Sequence, residues 1–437
     1  MRIPIETCEL DNGLFVVLSE DHTAPIVAVN IWYHVGSADE RPGRTGFAHL
    51  FEHMLFQGSA DVGVNEHFEL IQRAGGTLNG STWLDRTNYF ETVPSHYCEL
   101  VLWLEANRMG KLLPAMTQQK LDTQRDVVKN ERRWSVDNQP YGTWLERLPA
   151  LCFPADHPFH HSLIGSMEDL SRASLNDIAE FFRTYYTPDN AVLSVTGDFE
   201  AREVDAWVRR YFGDIPPGTG RPPLQKLDVP STFGTWRREE VRDNVALPRL
   251  FLAFRSPVFG SEEYYAASIC GAILGMRNGS RLHRALVRER QIAAEAHAFT
   301  FDLSKAMDLL VVDVTGRQGV DTRALHDAVA WEVDALHSSG VTPAEVSRAV
   351  TLIETDYVSA IQSAGERADR LSMFATYFHD PERANTQMKQ YGAVSPSDVN
   401  AFIERCLGED NRSSLLFVPD GPGSDGRQPA ESVRTVG

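Results

Sequence analysis

His49-Leu50-Phe51-Glu52-His53 is the stretch on which the reading of this 437-residue chain turns. Set on a helix, His49 and His53 are four residues apart, so their imidazoles stack on one face and can share one cation. Glu52 lies between them, close enough to handle a water held by that cation. Two nitrogen donors suit a zinc-like ion, which needs a third protein ligand and an open position to support hydrolysis. The flanks agree with a helix. Thr45-Gly46 can start it, Phe47, Leu50, Phe51, Met54 and Leu55 give it a wide apolar surface, and Gly58-Ser59 stops it. Polar side chains on so apolar a helix would be buried, which is costly unless they are satisfied.

The third ligand is expected in Leu121-Asp-Thr-Gln-Arg-Asp-Val-Val-Lys-Asn-Glu-Arg-Arg-Trp134. The run is charged and free of Gly and Pro, so it reads as a largely exposed helix. Glu131 is the candidate, although spacing alone would leave a glutamate on such a helix merely solvated.

These segments together resemble the pitrilysin-like M16 metallopeptidases, in size and layout the M16B group that includes the mitochondrial processing peptidase. The resemblance runs from about residue 7 to about residue 420. His49-x-x-Glu52-His53 is the inverse of the commoner His-Glu-x-x-His order. Arg125-Asp-Val-Val-Lys-Asn-Glu131 stands where the family carries its third zinc ligand. Gly75-Gly76-Thr-Leu-Asn79-Gly-Ser-Thr82 through Asp85-Arg-Thr-Asn-Tyr89 matches the family's edge strand, which pairs with substrate. Tyr186-Thr-Pro-Asp-Asn190 and Val195-Thr-Gly-Asp198 look like its end-of-domain pattern. One departure is Gln124, where the family often has a second glutamate; an amide can neither act as a base nor carry charge.

The resemblance implies a zinc endopeptidase acting on peptide substrates, with His49, His53 and Glu131 holding Zn2+ and Glu52 as the base. Asn79 would bind the substrate backbone as a peptide adds to the sheet. The implied fold is α+β: two related domains, each a mostly antiparallel sheet with helices packed on one face.

Composition bounds the alternatives. A chain of this length exceeds what one hydrophobic core normally serves, so two or more domains are expected. Its 42 basic and 60 acidic side chains give a formal charge of −18, a field that opposes nucleic acid and anionic membranes and weakly favours basic peptides. No stretch approaches the roughly 18 uninterrupted apolar residues of a membrane helix. The start, Met1-Arg-Ile-Pro-Ile-Glu, is too polar for a signal peptide, which gives a cytoplasmic expectation. Cys8, Cys98, Cys152, Cys270 and Cys406 are scattered, as reduced structural thiols are.

Along the chain, Cys8–Leu18 and Ile26–Val35 are strand-like, the first containing the hairpin signal Asp11-Asn12-Gly13. Ile215-Pro-Pro-Gly-Thr-Gly-Arg-Pro-Pro223 can continue neither a helix nor a strand. Residues 1–214 are therefore expected to form the catalytic domain, 215–235 a linker, 236–420 a homologous non-catalytic domain and 421–437 a disordered tail. His157, His160 and His161 sit in a turn-like setting that favours a structural role over a second metal.

An internal repeat supports two related halves. Ser174, Asp177, Ile178, Phe181, Asn190 and Val195 recur as Ser395, Asp398, Val399, Phe402, Asn411 and Leu416, all at an offset of 221 residues. The same offset carries His49, Glu52 and His53 onto Cys270, Ile273 and Leu274, so the second half keeps the scaffold without the metal site.

In the family, that half supplies a Gly-rich loop, here Gly275-Met-Arg-Asn-Gly-Ser280, and an Arg and a Tyr that help hold substrate. Arg288 is present, but no tyrosine follows before Phe299; Glu295 and His297 stand there instead. Lacking half of such a pair should cost about a hundredfold in rate. The expected partner is thus a homologous subunit supplying the Arg/Tyr pair in a heterodimer that encloses a chamber, a homodimer being the other possibility. The contrasting expectation is a non-catalytic structural or assembly subunit with the same fold.

Overall fold

The computed structural model describes residues 2–219 and 228–420. Part of the expected linker and the whole expected tail lie outside the described residues. Two compact units are present, and they are interleaved along the chain, not contiguous as the Pro/Gly-rich linker suggested. The first draws on Met1–Arg132, Ser162–Leu224 and Asp356–Gln387; the second on Arg133–His161, Gln225–Thr355 and Met388–Gly437.

The first unit is built on a six-stranded sheet from β1 (Glu6–Glu9), β2 (Phe15–Glu20), β3 (Ile26–Tyr33), β4 (Thr77–Thr82), β5 (Thr87–Pro94) and β6 (Ala191–Gly197). Their order is β1-β2-β6-β3-β5-β4, with β2 and β6 the one parallel pair among the described residues. The β1–β2 hairpin turns through Asp11-Asn12-Gly13, where Gly13 takes a φ of 86° that a side chain would disfavour. Among the described residues, β4 is an edge strand, hydrogen-bonded only to β5.

Alternation along β3 shows why this sheet is buried on both faces. Tyr33 meets Tyr89 and Tyr186, and Tyr186 packs on Phe51 of helix Phe47–Met54 with ring centroids 4.6 Å apart. On the other face, Ala28 packs with Ala364 and Ala368, while Asn30 Nδ2 and Trp32 Nε1 donate to Asp369. Those partners lie on helix Ala364–Phe378, far away in sequence, which is why β3 and β6 are almost wholly buried.

The second unit repeats the plan with β7 (Arg237–Asp243), β8 (Arg249–Ser256), β9 (Ala293–Thr300), β10 (Asp308–Gly316) and β11 (Ser413–Pro419). The order β7-β11-β8-β10-β9 reproduces β2-β6-β3-β5-β4, including the single parallel pair at the same place. Its sheet takes helix Trp144–Cys152 from the first half of the sequence, where Trp144 stacks on Phe251 at 4.9 Å. The repeat extends to individual hydrogen bonds. Ser174 and Ser395 each form a capping box with the Asp three residues on, and Asn190 and Asn411 each donate to a carbonyl five residues back, at 2.8 and 2.7 Å. Among the described residues, no helix is long and apolar enough to cross a membrane.

Candidate metal centre

Helix Phe47–Met54 carries His49, Glu52 and His53, and its apolar positions Phe47, Leu50, Phe51 and Met54 are buried in the first unit. Its start is anchored from two directions. Gly46 adopts φ 84° and approaches so near that an added Cβ would lie 2.5 Å from the Ile164 carbonyl oxygen. The buried carboxylate of Glu40 accepts from the Gly46 and Ala48 N–H groups, both at 2.8 Å, and so satisfies donors that the first turn leaves open. Thr45 donates through both its N–H and its hydroxyl to Asp169.

The helix bearing Glu131 spans Gln118–Arg132, with Leu121, Gln124 and Val128 as its buried stripe. It is therefore less exposed than its charge suggested. Arg125 donates to the Ser171 and Ala173 carbonyls at 3.1 and 3.0 Å, and Arg132 to the Gly165 carbonyl at 2.9 Å. One short segment, residues 164–173, thus holds both the start of the histidine helix and the flank of the glutamate helix. Nothing in the linear pattern revealed it.

The side chains of His49, His53 and Glu131 converge. His49 Nε2 lies 3.5 Å from one oxygen of Glu131, and His53 Nε2 lies 3.1 Å from the other. The imidazoles are edge to face, centroids 4.8 Å apart. Burial pushes His49 down to about 4, so its ring is neutral at pH 7 with a lone pair to offer. Burial works to raise the Glu131 carboxyl, yet the His53 hydrogen bond and the neighbouring imidazoles hold it below the usual range. Two imidazole nitrogens and one carboxylate around a common point form a donor set that fits zinc.

Glu52 adjoins this set. Its carboxyl is raised chiefly by burial, with the Thr82 hydrogen bond and the His53 charge acting the other way. Thr82 Oγ1 donates to Glu52 Oε2 at 2.6 Å, a contact the sequence reading did not single out. Asn79 lies exposed on β4, where its Oδ1 accepts from the Gly80 N–H.

A second cluster escaped the sequence reading. His67, Glu91 and Glu105 converge in the core, His67 Nε2 lying 3.2 Å from Glu91 and 3.9 Å from Glu105. This cluster already contains its cation. Arg108 pairs with both glutamates, and its guanidinium lies over the Tyr89 and Phe56 rings at 4.1 and 5.1 Å. Glu105 and Arg108, set with Asn107 among the apolar residues of Val101-Leu-Trp-Leu-Glu-Ala-Asn-Arg-Met109, were the available signal.

His157 is buried, stacks on Phe153 at 4.6 Å and accepts the Phe159 N–H at Nδ1, while His160 bonds the Phe153 carbonyl. Among the described residues, these histidines form no metal-type cluster. Cys270, Ile273 and Leu274 are fully buried on the apolar helix Glu262–Gly275. Arg288 is exposed on the π-helix His283–Glu289.

Residues 15–156 match the family model described as Insulinase (Peptidase family M16), and residues 172–353 match that of the Peptidase M16 inactive domain. The zinc protease PqqE of Helicobacter pylori is 27% identical over 417 residues, covering 94% of this chain and 92% of that protein. An uncharacterized zinc protease of Bacillus subtilis, YmxG, is 22% identical over 94% of this chain and 97% of its own length. The crystal structure of a protease from Helicobacter pylori superposes with a TM-score of 0.90 at 25% identity, covering 96% of this chain and all of that one. A Pseudomonas fluorescens structure titled as a peptidase M16 inactive domain shares the fold, with a TM-score of 0.85 at 18% identity over 98% of this chain and 100% of that one. The chain belongs to peptidase family M16.

Proposed function

We propose that this protein is a zinc-dependent endopeptidase and the catalytic subunit of a two-subunit enzyme. The convergence of His49, His53 and Glu131 beside Glu52 carries this reading. His49, His53 and Glu131 would hold the ion, which supplies Lewis-acid activation of water and of a peptide carbonyl. Glu52, with Oε2 engaged by Thr82, offers Oε1 to take the proton of the attacking water and return it to the leaving amine. An extended peptide would add to the open edge of β4, with Asn79 on its backbone.

Glu52→Gln tests this directly. Peptide cleavage should disappear while zinc remains bound in a 1:1 ratio. A chain that binds no zinc and cleaves nothing would instead favour the non-catalytic scaffold subunit.

The missing tyrosine between Arg288 and Phe299 motivates the second half of the proposal, that a homologous subunit supplies the Arg/Tyr pair. The isolated chain should then cleave poorly and gain activity with that partner. Full activity alone would overturn the two-subunit form.

A further inference from the structure

β4 does more than offer an edge. Residues 80 and 82 share a face of the strand, because side chains alternate along it, and both meet Glu52. A Cβ added at Gly80 would lie 3.1 Å from Glu52 Cγ, and also 3.2 Å from ring atoms of Phe56 and Tyr89. The stem of Glu52 therefore lies in the space that glycine leaves. Two residues on, the Thr82 hydroxyl meets the head of the same side chain at 2.6 Å. Thr82 is itself fixed, since it pairs with Thr87 in the β4–β5 ladder and, being β-branched, has few χ1 choices. Behind the strand, Tyr89 and Phe56 lie under the Arg108 guanidinium, which is locked to two buried glutamates.

From this geometry we propose that Thr82 is a positioning residue for Glu52. Its hydroxyl donates to Oε2, fixes the carboxylate plane and leaves Oε1 as the single oxygen open to proton transfer. Gly80 is the other half of the cradle, since it alone lets the glutamate stem lie flat against the strand. The inference rests on the peptidase reading of the site and adds a second-strand residue to it.

The test compares Thr82→Val, which keeps the shape and removes the donor, with Thr82→Ser, which keeps the donor. In zinc-loaded protein, Thr82→Val should lower kcat about tenfold to a hundredfold with KM within about twofold of wild type. Zinc stoichiometry and melting temperature should stay unchanged, and Thr82→Ser should recover kcat to within about threefold.

Crystal structures of the variants give a readout independent of turnover. Glu52 should hold one conformation in wild type and Thr82→Ser, and rotate away or split in Thr82→Val. Equal kcat in Thr82→Val and wild type, an equal loss in Thr82→Ser, or an unmoved Glu52 in Thr82→Val would overturn the proposal. Absence of any Glu52-dependent cleavage would defeat the peptidase reading instead, and the crystallographic comparison would still decide whether Thr82 orients the carboxylate.

Discussion

Replacing Glu40 by alanine should show how the histidine helix is held. Both Glu40 oxygens accept backbone N–H groups at 2.8 Å, from Gly46 and Ala48, in a buried setting. Alanine would strand two buried donors at about 1 to 3 kcal/mol each, so we take a total near 3 kcal/mol as the expected cost. A unit of this size shifts by about 2–4 °C per kcal/mol, which gives a drop of about 6–12 °C in the melting temperature of metal-free protein. Burial pushes the Glu40 carboxyl upward, while the N–H bonds oppose that shift. The positive end of the helix dipole also favours the anion. Glu40→Gln, with one carbonyl acceptor and no charge, should therefore lose about half as much. Thermal unfolding by circular dichroism at pH 7.5 measures all three proteins. An alanine variant within about 2 °C of wild type would refute the capping argument. A glutamine variant matching wild type would show that the group is held as a neutral acid.

Glu131→Gln keeps the shape and loses the anion, so zinc affinity measured by chelator competition should fall by about a hundredfold or more, while an unaltered affinity would remove Glu131 from the ligand set. His67 is pushed down to about 3 by burial and by Arg108, beside Glu91 and Glu105. The unfolded chain therefore takes up a proton near pH 6.5 that the folded chain refuses. This contribution is fully favourable above that pH and is lost as pH falls toward 3, at about 1 kcal/mol per pH unit; urea titrations of wild type and His67→Asn between pH 7.5 and 5 should diverge accordingly. Asp369→Leu removes the acceptor shared by Asn30, Trp32 and Asn88 and should cost about 3 kcal/mol by urea unfolding, with parental stability counting against this half-buried network.

Much of the site was legible in one dimension because its chemistry is local. His49, Glu52 and His53 lie within little more than one turn of helix, so spacing alone predicts a shared face. Glu131 is different. Its helix is charged and its spacing from His53 carries no geometric content, so only the resemblance to a family marked it, and the coordinates then put its oxygens 3.1 and 3.5 Å from the imidazoles. Thr82 and Arg108 were not legible as contacts, since hydrogen bonds across thirty residues and ion pairs inside a core leave no periodic trace.

What the sequence by itself determined is the local chemistry and the duplication. The histidine pair, the capping serines at 174 and 395 and the loss of ligands at Cys270, Ile273 and Leu274 are all properties of short segments or of a constant offset. What only the tertiary structure decided is which segments share a core. Helices Trp144–Cys152 and Ala364–Phe378 each join the sheet of the unit built mainly from the other half of the chain. A sheet face accepts any helix of complementary shape, and loop-closure entropy grows too slowly with length to forbid a distant one.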